Sequence, residues 1–110
     1  MDAASLLEFD DVAQADFEAC YPASVTFPGI TDPVACAGGA VRQLSLGFIS
    51  GGGLGEFDLA FRVRKARLNN VPPEVGALIT FQAKLWRIMR ATDSAASVAY
   101  AVHCGNPNAR

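Results

Sequence analysis

Residues able to do chemistry are few in this chain. The single histidine, His103, stands beside Cys104, a pair of metal-ligand types. The segment around them alternates apolar and small or polar residues, so neighbouring side chains point to opposite faces and cannot approach one metal ion without a bulge. Cys20, Cys36 and Cys104 form an odd set without C-x-x-C spacing, which suggests neither a disulfide framework nor a zinc knuckle; reduced, mostly buried thiols are expected. Asp10-Asp11 has the charge to chelate a cation, but adjacent acids on an exposed helix face ordinarily serve solvation. The serines lie outside any G-x-S-x-G elbow, and no carboxylate pair sits in an identifiable motif. The expectation is a chain that is not an enzyme and takes no cofactor and no metal.

Two other groups remain. Gly51-Gly52-Gly53 suggests a phosphate cradle, yet there is no G-x-x-x-x-G-K-[ST] and no helical pattern after the glycines. The segment Gly47, Phe48, Ile49, Ser50, Gly51, Gly52, Gly53, Leu54, Gly55 and Glu56 has little to bury, so it reads as a mobile loop that orders on contact with a protein partner, or as a plain hairpin tip. The second group is basic. Asp2, Glu8, Asp10, Asp11, Asp16 and Glu18 precede any Lys or Arg, whereas Arg62, Arg64, Lys65 and Arg67 cluster in mid-chain, with Lys84, Arg87 and Arg90 beyond. Such a cluster grips phosphate or an acidic surface, or is a solvated strand edge; the net charge of -2 is far from that of a dedicated nucleic-acid binder.

The elements that must position these groups are mainly β. Phe57, Leu59, Phe61 and Val63 alternate with Asp58, Ala60, Arg62 and Arg64, the period of a strand with one buried face. Leu78, Ile79 and Phe81 lead to Gln82-Ala83 and resume at Lys84 with Leu85, Trp86, Ile88 and Met89, a hairpin whose turn type stays open without Asn-Gly. Val98, Tyr100, Val102 and Cys104 give a further strand. Trp86, between Leu85 and Ile88, reads as a core or interface aromatic rather than a base-stacking platform.

The first twenty residues read as a helix. Leu6, Leu7, Phe9, Val12, Ala13 and Phe17 make its apolar stripe, acids fill the other side, and the early acids suit the helix dipole. Tyr21-Pro22 ends it, and a short strand from Ala23 to Phe27 follows. Pro28-Gly29 and Asp32-Pro33 bracket a turn-rich connection, followed by Gly38-Gly39. A second alternating run then places Arg42, Leu44, Leu46 and Phe48 on one face as a hairpin arm.

The 110 residues form one domain, expected to bury roughly two-thirds of the unfolded surface. It divides into the helix over 1–20, a small barrel over 21–105 with its loop at 47–56, and a tail over 106–110. Hydrophobic residues at 51% and charged residues at 18% argue against disorder and leave apolar surface for an interface. No apolar run approaches the ~18 residues of a membrane span, and the acidic N-terminus has the wrong sign for a secretory signal, so a soluble protein made inside the cell is expected.

This order resembles the small head-tail joining proteins of long-tailed bacteriophages, of the lambda type. The similarity lies in the acidic helix around Leu7-Glu8-Phe9-Asp10-Asp11, in Ser24-Val25-Thr26-Phe27 and in the long glycine-bearing insertion. It continues through Phe61-Arg62-Val63-Arg64, Val71-Pro72-Pro73-Glu74-Val75-Gly76-Ala77-Leu78-Ile79-Thr80, Leu85-Trp86-Arg87-Ile88 and Tyr100-Ala101-Val102-His103-Cys104. It spans nearly the whole chain and departs from the family at Ala77, where an acid usually follows the elbow glycine, and at the turn Gln82-Ala83-Lys84. The resemblance implies a small antiparallel β-barrel or sandwich with an N-terminal α-helix and a long flexible Gly-rich hairpin loop. It implies a structural virion protein of the neck, made in the host cytoplasm, that forms a ring below the portal and adaptor, closes the DNA-filled head and docks the tail. A hexamer is implied, or a dodecamer if the chain sits directly on the portal. The partners would be other copies, portal or adaptor proteins on the head side and a tail terminator or tail-tube protein on the tail side, with no membrane. The arm from Gly47 to Glu56 would meet the tail or adaptor, and Arg62, Arg64, Lys65 and Arg67 would face a neighbouring subunit or the DNA channel. A tail-terminator, tail-tube or baseplate component and a nucleic-acid-binding small barrel stand as alternatives.

Overall fold

The computed structural model describes residues 3–40, 58–95 and 97–106. One α-helix, α1 (Ala3–Cys20), precedes six strands: β1 (Pro22–Thr26), β2 (Val34–Ala40), β3 (Leu59–Arg64), β4 (Leu78–Phe81), β5 (Lys84–Thr92) and β6 (Ala99–Gly105). A short 3-10 helix, Lys65–Leu68, follows β3. Every strand pair is antiparallel, and the order β1-β2-β3-β6-β5-β4 closes on itself as a barrel. Of the two expected forms, barrel or sandwich, the chain adopts the closed one, which leaves no free sheet edge among the described residues.

Alternation fills the barrel. Val25, Cys36, Phe61, Val63, Ile79, Phe81, Ile88, Tyr100, Val102 and Cys104 form one buried cluster. Phe61 and Phe81 meet edge to face at its centre, with ring centroids 5.0 Å apart. Each large side chain sealed there contributes about 1.5–3 kcal/mol relative to exposure. As the strand period requires, Cys104 points inward while His103 lies on the other face of β6.

The β4–β5 hairpin forms where the sequence places it. Gln82 and Ala83 have φ of 53° and 65°, so the two-residue turn is type I′, formed without the glycine or asparagine that usually supplies it. In β5 the register slips between Ile88 and Arg90, leaving Met89 as a bulge and turning Arg90 to the outer face opposite His103. Trp86 packs against the core, its Nε1 donating to the Phe81 carbonyl at 3.4 Å, which agrees with a structural aromatic.

Two expectations change. The sequence offers no strand over Val34–Ala40, yet the segment is β2, whose residues are nearly all small. Gly38 sits opposite Phe61 with φ of 144°, and a Cβ there would lie 2.1 Å from the Ala60 carbonyl oxygen. The backbones approach closely because a side chain is missing. Second, α1 turns the other way about its axis: Phe9 and Val12 face solvent, while Asp10, Gln14, Phe17 and Glu18 face the barrel. Its first turn carries no acid, so no dipole pairing arises there. The cysteines are free and mostly buried, as expected: Cys36 and Cys104 lie inside, and Cys20 is exposed at the helix end.

The expected arm run, Arg42, Leu44, Leu46 and Phe48, and the loop Gly47 to Glu56 lie outside the described residues. Their anchors do not. Ala40 pairs with Leu59, so the segment leaves and re-enters the barrel on neighbouring strands at one end.

Candidate functional site

The basic cluster lies on the outside of β3 and on the 3-10 helix after it. Arg62 and Arg64 point outward because Phe61 and Val63 point in; Lys65 and Arg67 follow in the 3-10 turn rather than on the strand. α1 crosses this surface with Asp10, Gln14 and Glu18 one turn apart, and the two sets interlock.

Arg62 is the most fully engaged. Its Nη2 lies 3.0 Å from Asp10 Oδ1, its Nε donates to Gln14 Oε1 at 3.0 Å, and its guanidinium stands 5.4 Å from the centre of the Phe17 ring. Asp10 in turn accepts from the Val98 amide at 2.7 Å and the Ser97 hydroxyl at 2.9 Å, tying the helix to the segment that enters β6. Burial opposes ionisation of Asp10, but the Val98 amide, the Ser97 hydroxyl and Arg62 outweigh it and hold the carboxyl below its ordinary value.

Arg64 pairs with Asp11 and stands 3.5 Å from Glu18; the bond to Asp11 is the main reason its pKa is raised. Arg67 reaches Glu18 Oε2 at 2.8 Å and the Ala35 carbonyl at 2.7 Å. Lys65 turns away from the helix to Asp93 at 2.7 Å and the Ser94 carbonyl at 2.8 Å, with the Tyr100 ring 5.5 Å off. All four cations offered by the sequence to an outside partner are thus engaged by groups of this chain. The signal for this was present in Asp10, Gln14 and Glu18, which repeat at helical i, i+4 spacing on one face.

Among the described residues no three His, Cys, Asp or Glu side chains converge to hold a metal ion. Burial pushes the Cys36 thiol up to about 12, with nearby Glu18 adding to the effect; burial also pushes Cys104 to about 12, with Cys36 adding to it. Neither is a nucleophile at neutral pH. Burial, with Arg90 nearby, lowers the pKa of His103 and favours the neutral ring. No helix among the described residues is long and apolar enough to cross a membrane.

At the barrel end where β1 stops and β4 begins, a cleft of about 330 Å³ opens between two proline turns. Phe27, Ile30, Leu68, Pro72 and Pro73 line it, and among the described residues Glu74 is the only charged one in its lining. Pro72 and Pro73, in the segment that leads from the 3-10 helix to β4, are therefore one wall of an apolar recess. It can take an apolar side chain.

Comparison with protein-family models, with curated proteins and with solved structures finds no match.

Proposed function

We propose that this chain is a structural virion protein of a long-tailed phage, a head-tail connector that forms a ring below the portal or adaptor, closes the DNA-filled head and docks the tail. One observation carries the reading: a closed six-stranded antiparallel barrel with a helix before it and a long segment, 41–57, inserted between adjacent strands at one barrel end. That is the plan implied by the resemblance in sequence. In this role the chain acts by contact rather than catalysis, and the arm from Gly47 to Glu56 is the part that meets the tail or adaptor.

The engaged guanidiniums of Arg62, Arg64 and Arg67 favour this reading over a nucleic-acid-binding barrel. A phosphate backbone would have to displace Asp10, Asp11 and Glu18 before it met them.

Electron microscopy of a lysate from the encoding phage or prophage with the gene deleted, beside a complemented control, tests the proposal. Filled or leaking heads beside complete, unattached tails are expected. Normal virions would reject a joining role, and heads with absent or overlong tails would move the protein into the tail pathway. A variant shortened at Gly51-Gly52-Gly53 and Leu54 should fold but join poorly; full joining would remove the arm from the mechanism.

A further inference from the structure

Two exposed surfaces on different sides of the barrel complement each other. On the outward side of α1, Phe9 is 66% exposed and Val12 63% exposed. Glu8 and Asp16 flank them on the same side at helical spacing, both exposed and neither in an ion pair among the described residues. On the hairpin, Leu78 and Leu85 point outward because Ile79 and Phe81 fill the core, and they are 40% and 54% exposed. Leu78 lies opposite Arg87 in the ladder, and the Met89 bulge brings Arg90 to the same outer face. α1 packs along β1, β2 and β3, away from this pair of strands.

A singly exposed leucine or valine is ordinary and would decide nothing. Here each side presents two apolar side chains, and the flanking charges have opposite sign: acids on the helix, arginines on the hairpin. Opposite potentials across an apolar centre are what a specific contact between two surfaces requires. The sequence suggested charge complementarity between the acidic helix and the cluster at Arg62 to Arg67. That cluster is engaged with carboxylates and carbonyls of this chain, whereas on the hairpin Arg87 donates to the Gly76 carbonyl at 2.8 Å and Arg90 is exposed, both on the side away from α1.

We infer that the outer face of α1 in one copy seats on the outer face of the β4–β5 hairpin in a second copy. Phe9 and Val12 lie against Leu78 and Leu85, and Glu8 and Asp16 meet Arg87 and Arg90. The two patches differ, so each copy in such a contact keeps one patch open, and the association is head-to-tail and closes into a ring or grows. This deepens the connector reading by naming the contact between its subunits, and it rests on that reading only for the closure of the ring.

The test is sedimentation equilibrium and native mass spectrometry of the full chain from about 1 µM to about 1 mM, a range that captures weak self-association. Asp16→Arg and Arg90→Glu variants are run alone and mixed, after circular dichroism shows that each is folded; Asp16→Asn and Arg90→Gln serve as milder replacements. The wild type is expected to associate, each reversal to weaken association about tenfold or more, and the mixture to restore it because each variant meets an opposite charge on the other. A wild type monomeric throughout the range, or association untouched by Arg90→Glu as in a helix-to-helix dimer, overturns the contact. So does loss in both variants without recovery on mixing. In the deletion phage, full joining by Asp16→Arg would remove this contact and leave the connector role intact. Charge-swap recovery in solution together with normal deletion virions would do the reverse.

Discussion

Gln14 and Arg62 hold each other from both ends. The Gln14 amide donates to the Arg62 carbonyl at 3.0 Å, and its oxygen accepts from the Arg62 Nε at 3.0 Å. Gln14 is also the buried polar side chain of the described core, with no exposure to solvent. A helix residue thereby satisfies both the backbone and the side chain of one strand residue, which fixes the position of α1 along β3.

Replacing Gln14 with leucine keeps most of the volume and removes both bonds. It should lower stability by about 1–3 kcal/mol, because the Arg62 carbonyl and Nε lose a partner where water enters poorly. Urea denaturation reads the loss. In a double-mutant cycle with Arg62→Met the two effects should be strongly non-additive; simple additivity would show that the pair is not coupled.

Acid should loosen the helix through Asp10. The folded-state pKa is depressed, so the carboxylate contributes its full stabilisation above the ordinary value of 3.8, and that contribution is lost as pH falls through the lower folded value. Asp10→Asn should be less stable than the wild type at about pH 7, and its stability should fall less steeply between about pH 4 and pH 2. Parallel acid limbs in thermal melts across that range would exclude Asp10 as a source of acid sensitivity.

Gly38 should tolerate no side chain. Alanine there meets the Ala60 carbonyl oxygen and lies 2.8 Å from the Phe61 Cα, both backbone atoms held by the β2–β3 ladder. Gly38→Ala should cost about 3 kcal/mol or more, or abolish folding. Gly39→Ala is the control: its φ of 147° is equally unfavourable for alanine, but no atom of the described residues lies within 4 Å of the added carbon, so a loss of about 1–2 kcal/mol is expected. Equal losses in the two variants would show that strain, not close approach, governs this strand.

The hairpin turn has room for improvement. Ala83 holds a left-handed backbone that costs an L-residue about 1–2 kcal/mol and glycine nothing. Part of that gain is offset by glycine's greater freedom in the unfolded chain, so Ala83→Gly should raise stability by about 0.5–1 kcal/mol. A lower denaturation midpoint would show that the turn is not type I′ in solution.

The sequence made some elements legible and hid others for physical reasons. β3 and β6 were readable because Phe61 and Val63, or Tyr100 and Val102, alternate with polar or small residues across two unlike faces. β2 was not, because its function in the barrel is to be thin: Ala37 is buried on one face and Gly38 crosses Phe61 on the other, and small residues carry no hydropathy period. The helix was found but rotated. Its inner face is polar, and the arginines that make it inner lie far along the chain, so a local apolar stripe could only choose Phe9 and Val12 wrongly. The basic cluster was visible as charge, but its partners Asp10, Asp11 and Glu18 were assigned to solvent.

The closure of the barrel has a kinetic consequence. β1 and β4 meet through two residue pairs, Val25 with Phe81 and Thr26 with Thr80, whereas β3 and β6 share six. The β4–β5 hairpin closes locally, but the β1–β4 seam joins segments distant in sequence and must bear the entropy of ordering what lies between. It is therefore the last ladder to zip during folding and the first to breathe in the native state. Amide hydrogens of Val25 and Phe81 should exchange with deuterated water sooner than those of Phe61 and Val102, marking the line along which the barrel opens.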